Sequence, residues 1–277
     1  MLGTGYILVD SIVVIGGSIL CSLLVLWLVR SLVSHEQLVP HNEVSGFVYA
    51  AVGVIYAVIL GFAVVSVWEQ YLDAETNARE EANDLADLYR IAEGLPEPER
   101  SAIQVAAVNY ASDVVDLEWG SINRDGAPSF EAAAHLDELW ASMYGLDLSS
   151  PADEALFAAG LDQLDDLSSH RRERIEDAGA GLLSIMWGVM IGGAVLIVLF
   201  PCLFGVENRL VHSLIVSALA ATLGLLLLLT YDLNHPLQGS VHVQPLGFTQ
   251  FLERVSHPGD NQDPDRQNTW PVHFEYE

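Results

Sequence analysis

The feature that most constrains this chain is a stretch without a break: an apolar run over residues 46–67 passes, with no proline or turn cluster, into a charged helical pattern that begins Trp68-Glu69-Gln70 and continues to Leu95. About 20 apolar residues cross a bilayer core at about 1.5 Å per residue. The expectation is one long helix, half in lipid and half in water. Along its membrane half, Gly46, Ala50, Gly53, Ala57 and Gly61 recur every three or four residues, which gathers them on a face that a second helix can approach closely. Another face carries Tyr49, Val52, Tyr56, Ile59, Ala63 and Ser66, mixing hydroxyls with aliphatic groups beyond what lipid demands. Two readings fit that face. It lines a pore, or its tyrosines anchor at the interface and hydrogen-bond between packed helices.

Composition shows how far this pattern extends. The chain is 51% hydrophobic, with mean hydropathy +0.34, yet its formal net charge is −26, so apolar and acidic residues are segregated along the sequence. Four runs are long and apolar enough to span a membrane, at residues 7–29, 44–67, 182–206 and 210–231. The expected fold is all-α and polytopic: a transmembrane hairpin over 1–68, an acidic helical bundle over 69–181, a second hairpin over 182–231 and an irregular acidic tail over 232–277. Arg30 closes the first run where a signal peptide would show a small-residue cleavage site, so that run is read as a retained helix. Repeats at Gly188 and Gly192 in the third span, and at Ser213, Ser217, Ala221 and Gly224 in the fourth, predict close helix packing.

Residues 69–177 hold 26 acidic residues against 7 arginines, and all 11 basic residues of the chain are arginine. A surface of this sign repels nucleic acid and anionic lipid, and it is equally the surface expected of a protein from a high-salt habitat. Within the middle region, apolar residues at helical spacing predict antiparallel packing through Leu85, Tyr89, Tyr110, Val114, Leu117, Trp140, Leu164 and Leu167. Pro151, Asp153 and Glu154 after Ser150 mark a helix start. That helix leads through Arg171-Arg172-Glu173-Arg174 toward the third span and is expected to run into it.

Enzyme motifs are absent: there is no GxSxG elbow, no phosphate-cradling GxxxxGK[ST], no HExxH and no CxxC pair. The chain is read as a non-enzyme. Acidic pairs such as Asp153-Glu154 and Asp165-Asp166 lie among other acids and read as a hydrated face. In the tail, Asp260, Asp263 and Asp265 alternate with other oxygen-bearing residues, a weak pattern for a hard cation such as calcium that lacks the glycine and terminal glutamate of an EF-hand.

The segment GFVYAAVGVIYAVILGFAVVSVWEQY, with the acid-rich run through EANDLADLYR behind it, resembles the signature region of bacterial bestrophin-like membrane proteins. The resemblance is most specific over residues 42–95 and extends elsewhere as an order of two spans, a helical middle region and two spans. It implies a pentameric anion channel in the cell membrane, a pore lined by the second span with an apolar neck, and an acidic clasp for calcium in the helical region. On this chain it nominates Tyr49, Val52, Tyr56 and Ile59 as pore residues. The acidic middle region would concentrate cations at a vestibule, so the selectivity stays open between cation and anion. The alternative function is a non-conducting, membrane-anchored scaffold that presents an acidic bundle to a partner. Arg79, Arg171, Arg172 and Arg174 outnumber Arg30 and Arg209 on the other side, which predicts a cytoplasmic bundle and cytoplasmic termini.

Overall fold

A computed structural model of the chain describes residues 4–125, 127–148, 150–238 and 241–257. Among these residues the secondary structure is helical, without strands: α1 (Thr4–Leu32), α2 (Asn42–Ala92), α3 (Glu99–Asp113), α4 (Trp119–Asp125), α5 (Phe130–Tyr144), α6 (Pro151–Gly179), α7 (Ser184–Cys202), α8 (Arg209–Leu233) and α9 (Leu246–Ser256). Four of these segments, α1, α2, α7 and α8, are long and apolar enough to cross a membrane. The expected unbroken helix is present as the 51 residues of α2. Three helix starts are fixed by side-chain caps among the described residues, the expected Ser150 cap accepting from the Asp153 amide ahead of α6 at 3.2 Å. Ser129 accepts from the Glu131 and Ala132 amides ahead of α5, and Asn208 accepts from the Leu210 and Val211 amides ahead of α8.

The chain divides into two compact units, one formed by Met1–Asp73 and Gly179–Val243, the other by Ala74–Ala178 and the segment from Gln244 onward. In the first unit, α1 packs on α8 and α7 lies against both. At Gly224 α1 approaches α8 closely, since a Cβ there would stand 2.8 Å from the Ser18 hydroxyl. The core joins Tyr56, Leu60 and Ala63 of α2 to Met190, Ala194 and Ile197 of α7 and Leu223 of α8.

In the second unit, α3 packs on α5 and α9 packs on α3. The most deeply buried large side chains there include Leu85, Leu88, Ile103, Tyr110, Leu139, Leu164, Leu167 and Phe248. Of the residues expected to pack this region, Leu85, Tyr110, Val114, Leu164 and Leu167 are fully buried, whereas Tyr89 and Trp140 are only partly so.

Three segments differ from the sequence expectation. Residues 180–183 break the helix between α6 and α7, where Gly181 is a poor helix former that admits the Asn234 side chain, which accepts from the Leu182 amide at 2.6 Å. The tail is not irregular throughout. Phe248 and Phe251, one turn apart, drive α9 onto the second unit, with Gly247 admitting the close approach of Ala82. Between α3 and α4 lies a π-helical turn, Val114–Glu118. Its extra residue shifts the helix phase, so Glu118 is fully buried and Leu117 is turned out at 44% exposure.

Candidate functional site

The membrane half of α2 divides its faces differently from the sequence expectation. Tyr56 is 6% exposed and its hydroxyl donates to the Met190 carbonyl at 3.1 Å, while Ala63 is fully buried in the same core. Tyr49 is half-buried with its ring near Phe200 and Phe204, and Val52 packs on the same cluster. Ile59 and Ser66 are half-buried. Tyr56 and Ala63, expected on a candidate pore face, are therefore packed inside the core of this unit. Burying the Tyr56 phenol is tolerable because its hydroxyl is bonded to the α7 backbone.

The small-residue face is the open one. A Cβ built at Gly46, Gly53 or Gly61 meets nothing within 4 Å, and Ala50 and Ala57 are exposed. In α7 the expected packing glycines Gly188 and Gly192 are likewise open, and it is Gly193 that admits the Tyr56 ring. Its neighbour Gly192 points elsewhere because successive residues on a helix are about 100° apart. Opposite the buried face of α2, Phe47, Val54, Val58, Phe62 and Val65 are 79, 66, 53, 72 and 53% exposed.

The second unit holds a buried charge cluster that the sequence reading did not identify. Arg174 of α6, Glu81 of α2 and Glu118 of the π-helical turn have fully buried side chains. Arg174 Nη2 donates to Glu81 Oε1 at 3.0 Å and to Glu118 Oε1 at 2.6 Å, and Arg174 Nε donates to Glu81 Oε2. Arg171 Nη2 and the Ser129 amide donate to Glu118 Oε2, and the Tyr110 hydroxyl donates to Glu81 Oε1. The Trp119 ring lies 5.0 Å from the Arg174 guanidinium carbon, a cation–π distance. Two arginines balance two glutamates, and all four carboxylate oxygens are bonded. Burial alone would weaken the Arg174 charge, but Glu81 and Glu118 more than restore it and hold its pKa above the ordinary arginine value. Burial, with the Glu81 charge adding to it, raises the Tyr110 phenol well above its usual range.

A signal for this cluster was present in the sequence. Leu164, Leu167, Arg171, Arg174 and Ala178 share one helical stripe, as do Ala74, Ala78, Glu81, Leu85 and Leu88, so charges lie on faces that must be buried. Glu118 could not be found that way, because the π-helical turn breaks the spacing.

A second polar group joins Asp84 to α6. His170 Nδ1 lies 2.6 Å from Asp84 Oδ2, and Gln163 donates to Asp84 Oδ1 at 2.7 Å. Burial raises the Asp84 carboxyl by more than His170 lowers it. Burial lowers the His170 imidazole, but its bond to Asp84 and the Asp84 charge outweigh that and leave it above the usual histidine value.

Among the described residues, no group of three or more histidine, cysteine or acidic side chains is placed to hold a metal ion. The carboxylates deepest in the second unit are bonded to arginine, so the described part of the chain does not fit the calcium clasp that the bestrophin resemblance implies. Asp260, Asp263 and Asp265 lie outside the described residues.

Four apolar spans joined to a charged helical unit through one continuous helix define a polytopic membrane protein. The profile of the bestrophin-like domain matches residues 16–248, and the chain belongs to that family. Two crystal structures of a bacterial bestrophin homologue from Klebsiella pneumoniae, each of a point variant, superpose with TM-scores of 0.68 and 0.69 at 12% and 13% identity. The matches cover 88% and 91% of this chain and 99% of each of those chains. The crystal structure of a further membrane protein matches with TM-score 0.68 at 14% identity over 91% of this chain and 99% of that one. At such identities the likeness is one of fold. No curated protein matches the chain in sequence.

Proposed function

We propose that the chain assembles as a homo-oligomeric ion channel whose pore is lined by α2. The observation that carries this reading is the division of labour on α2 in a member of the bestrophin-like family: Tyr56, Leu60, Ala63 and Val67 are spent on the protomer, and Val54, Val58 and Val65 on the opposite side are free. Two unlike flanks lie between these sides. One is the small face of Gly53, Ala57 and Gly61, and the other carries Ile55, Ile59 and Phe62.

In a ring, every α2 has a neighbour on either hand, so the bulky flank of one copy meets the small flank of the next. This head-to-tail contact closes on itself and needs no second interface type. Val54, Val58 and Val65 then face the axis as an apolar constriction that gates by wetting. Five copies is the number the bestrophin resemblance implies. The arginine bias around the spans favours a cytoplasmic second unit.

The test is recording from the purified full-length protein in planar bilayers. Unitary current steps that disappear when the small flank is filled by Ala57→Trp support the reading, and the absence of current across voltage, calcium and pH overturns it.

A further inference from the structure

Within the first unit, the end of α1 is fastened to the α7–α8 turn through one histidine. Arg30 Nη2 donates to the Val206 carbonyl at 2.6 Å and lies 2.8 Å from His212 Nδ1, while His212 Nε2 lies 2.8 Å from the Pro201 carbonyl. These partners fix the protonation of the ring. A guanidinium is only a donor, so Nδ1 must accept, and a carbonyl is only an acceptor, so Nε2 must carry the proton. The imidazole fits this place in one neutral tautomer. Its residue is 1% exposed, which leaves no room for the ring to turn to another partner.

We propose that His212 is an acid-operated latch between α1 and the α7–α8 hairpin. Adding a proton to Nδ1 replaces the acceptor that holds Arg30 with a donor, and it sets two positive charges face to face in a poorly hydrated place. Arg30 then leaves Nδ1, and the end of α1 loses its bond to the His212 ring on α8 and keeps only the Arg30 bond to the Val206 carbonyl. The charged group that faces the ring from α1 is Arg30, and α7 presents the Pro201 carbonyl. On its own helix and the preceding turn, Arg209 and Glu207 are exposed. Among the described residues, no carboxylate is hydrogen-bonded to the ring to favour its charged form. At the start of α2, Asn42 is bonded in both directions to the Gly205 backbone at 3.1 and 2.8 Å, a fastening that carries no titratable group and remains when the latch opens.

The layer beneath the latch supplies a reporter. Leu26, Cys202 and Val216 form one buried cluster, each within one helical turn of Arg30, Pro201 or His212, and Cys202 is fully buried. Opening the latch therefore exposes the Cys202 thiol. This inference concerns the hairpin alone and does not depend on whether the chain conducts ions.

The experiment is alkylation of Cys202 by a membrane-permeant maleimide in full-length Cys21→Ala protein, with and without His212→Gln. Glutamine reproduces the neutral pattern, accepting through its oxygen and donating through its nitrogen, and it does not titrate. Comparing the two proteins at the same pH cancels the intrinsic pH dependence of thiol chemistry. At about pH 5 the protein with His212 should label about tenfold faster than His212→Gln, the change expected for one lost charge-assisted bond, and at about pH 8 the two should label alike. Equal labelling at both pH values, or fast labelling of His212→Gln at both, overturns the latch. Arg30→Met gives an independent check, because it removes at every pH the bond that the proton breaks. It should label fast at both pH values with no acid-dependent step, and slow labelling at about pH 8 or a retained acid-dependent step overturns the proposal.

Discussion

Glu81 and Arg174, 93 residues apart in sequence, meet in a two-point ion pair in which neither side chain is exposed. Each partner is also held by a third group, Tyr110 on the glutamate and Glu118 on the arginine. Taking such charges from water is costly, and what offsets it is that both Glu81 oxygens and two of the three Arg174 nitrogens are hydrogen-bonded, Arg174 Nη1 alone being left without a partner. Removing one partner leaves the other charge buried. Glu81→Leu should therefore destabilise the second unit by about 3 to 5 kcal/mol, seen as a lowered melting temperature in detergent. A melt unchanged from the parent would show that the cluster is solvated in solution.

Core truncations should rank by burial. Leu167 is fully buried and Leu167→Ala should cost about 2 to 5 kcal/mol. Trp140 stacks on Tyr144 and donates to the Ser168 hydroxyl at 3.1 Å, but one side of it stays open to solvent. Trp140→Ala should cost less than the leucine change despite removing a larger side chain. The reverse order in paired thermal melts would place the tryptophan deeper than this structure does.

The His170–Asp84 pair predicts a pH dependence with a definite sign. Because the folded histidine pKa is raised, its contribution to stability is complete below the ordinary histidine value of about 6.5 and is lost as pH rises through the folded value. His170→Gln should remove that decline while leaving stability above it nearly unchanged. Melting curves taken from acid to mildly alkaline pH would expose a variant that keeps the same slope.

The two kinds of α2 position should separate in their effects. Tyr56→Phe removes a hydrogen bond inside the protomer and should lower stability by about 0.5 to 1.5 kcal/mol with little change in unitary current. Val58→Ala widens the proposed constriction and should raise the current at little cost in stability. Bilayer recordings in which Tyr56→Phe alters conductance and Val58→Ala does not would return the pore to the tyrosine face.

Residues 69–177, which follow the membrane half of α2 directly, carry 26 acids against 7 arginines. Their field should enrich cations, and the enrichment should fade as the Debye length falls from about 30 Å at 0.01 M salt to about 3 Å at 1 M. Reversal potentials under fixed salt ratios should shift toward weaker cation preference as total salt rises. A preference for anions that is independent of salt would show that the pore wall sets selectivity by itself.

The four spans and the unbroken α2 were legible because long apolar runs and uninterrupted helical spacing are properties of the chain itself. Which face of α2 meets the protomer was not. The face of Tyr56 and the face of Gly53 and Ala57 are both compatible with close packing, and only the placement of α7, with Gly193 opposite the Tyr56 ring, decides between them. The same holds for Glu118, whose burial depends on the π-helical turn, and for His212, whose role exists only once Arg30 and Pro201 are brought beside it. Helix α9 was missed because its two buried phenylalanines form a short signal within a polar tail.

The most direct measurement is cysteine block of single-channel current. Val58→Cys, made in protein with Cys21→Ala and Cys202→Ala, should be blocked by a charged thiol reagent added from the water, while Tyr56→Cys in the same background should be unaffected. Block at Tyr56→Cys with none at Val58→Cys, or no current in the unlabelled protein, would contradict a pore lined by the free side of α2.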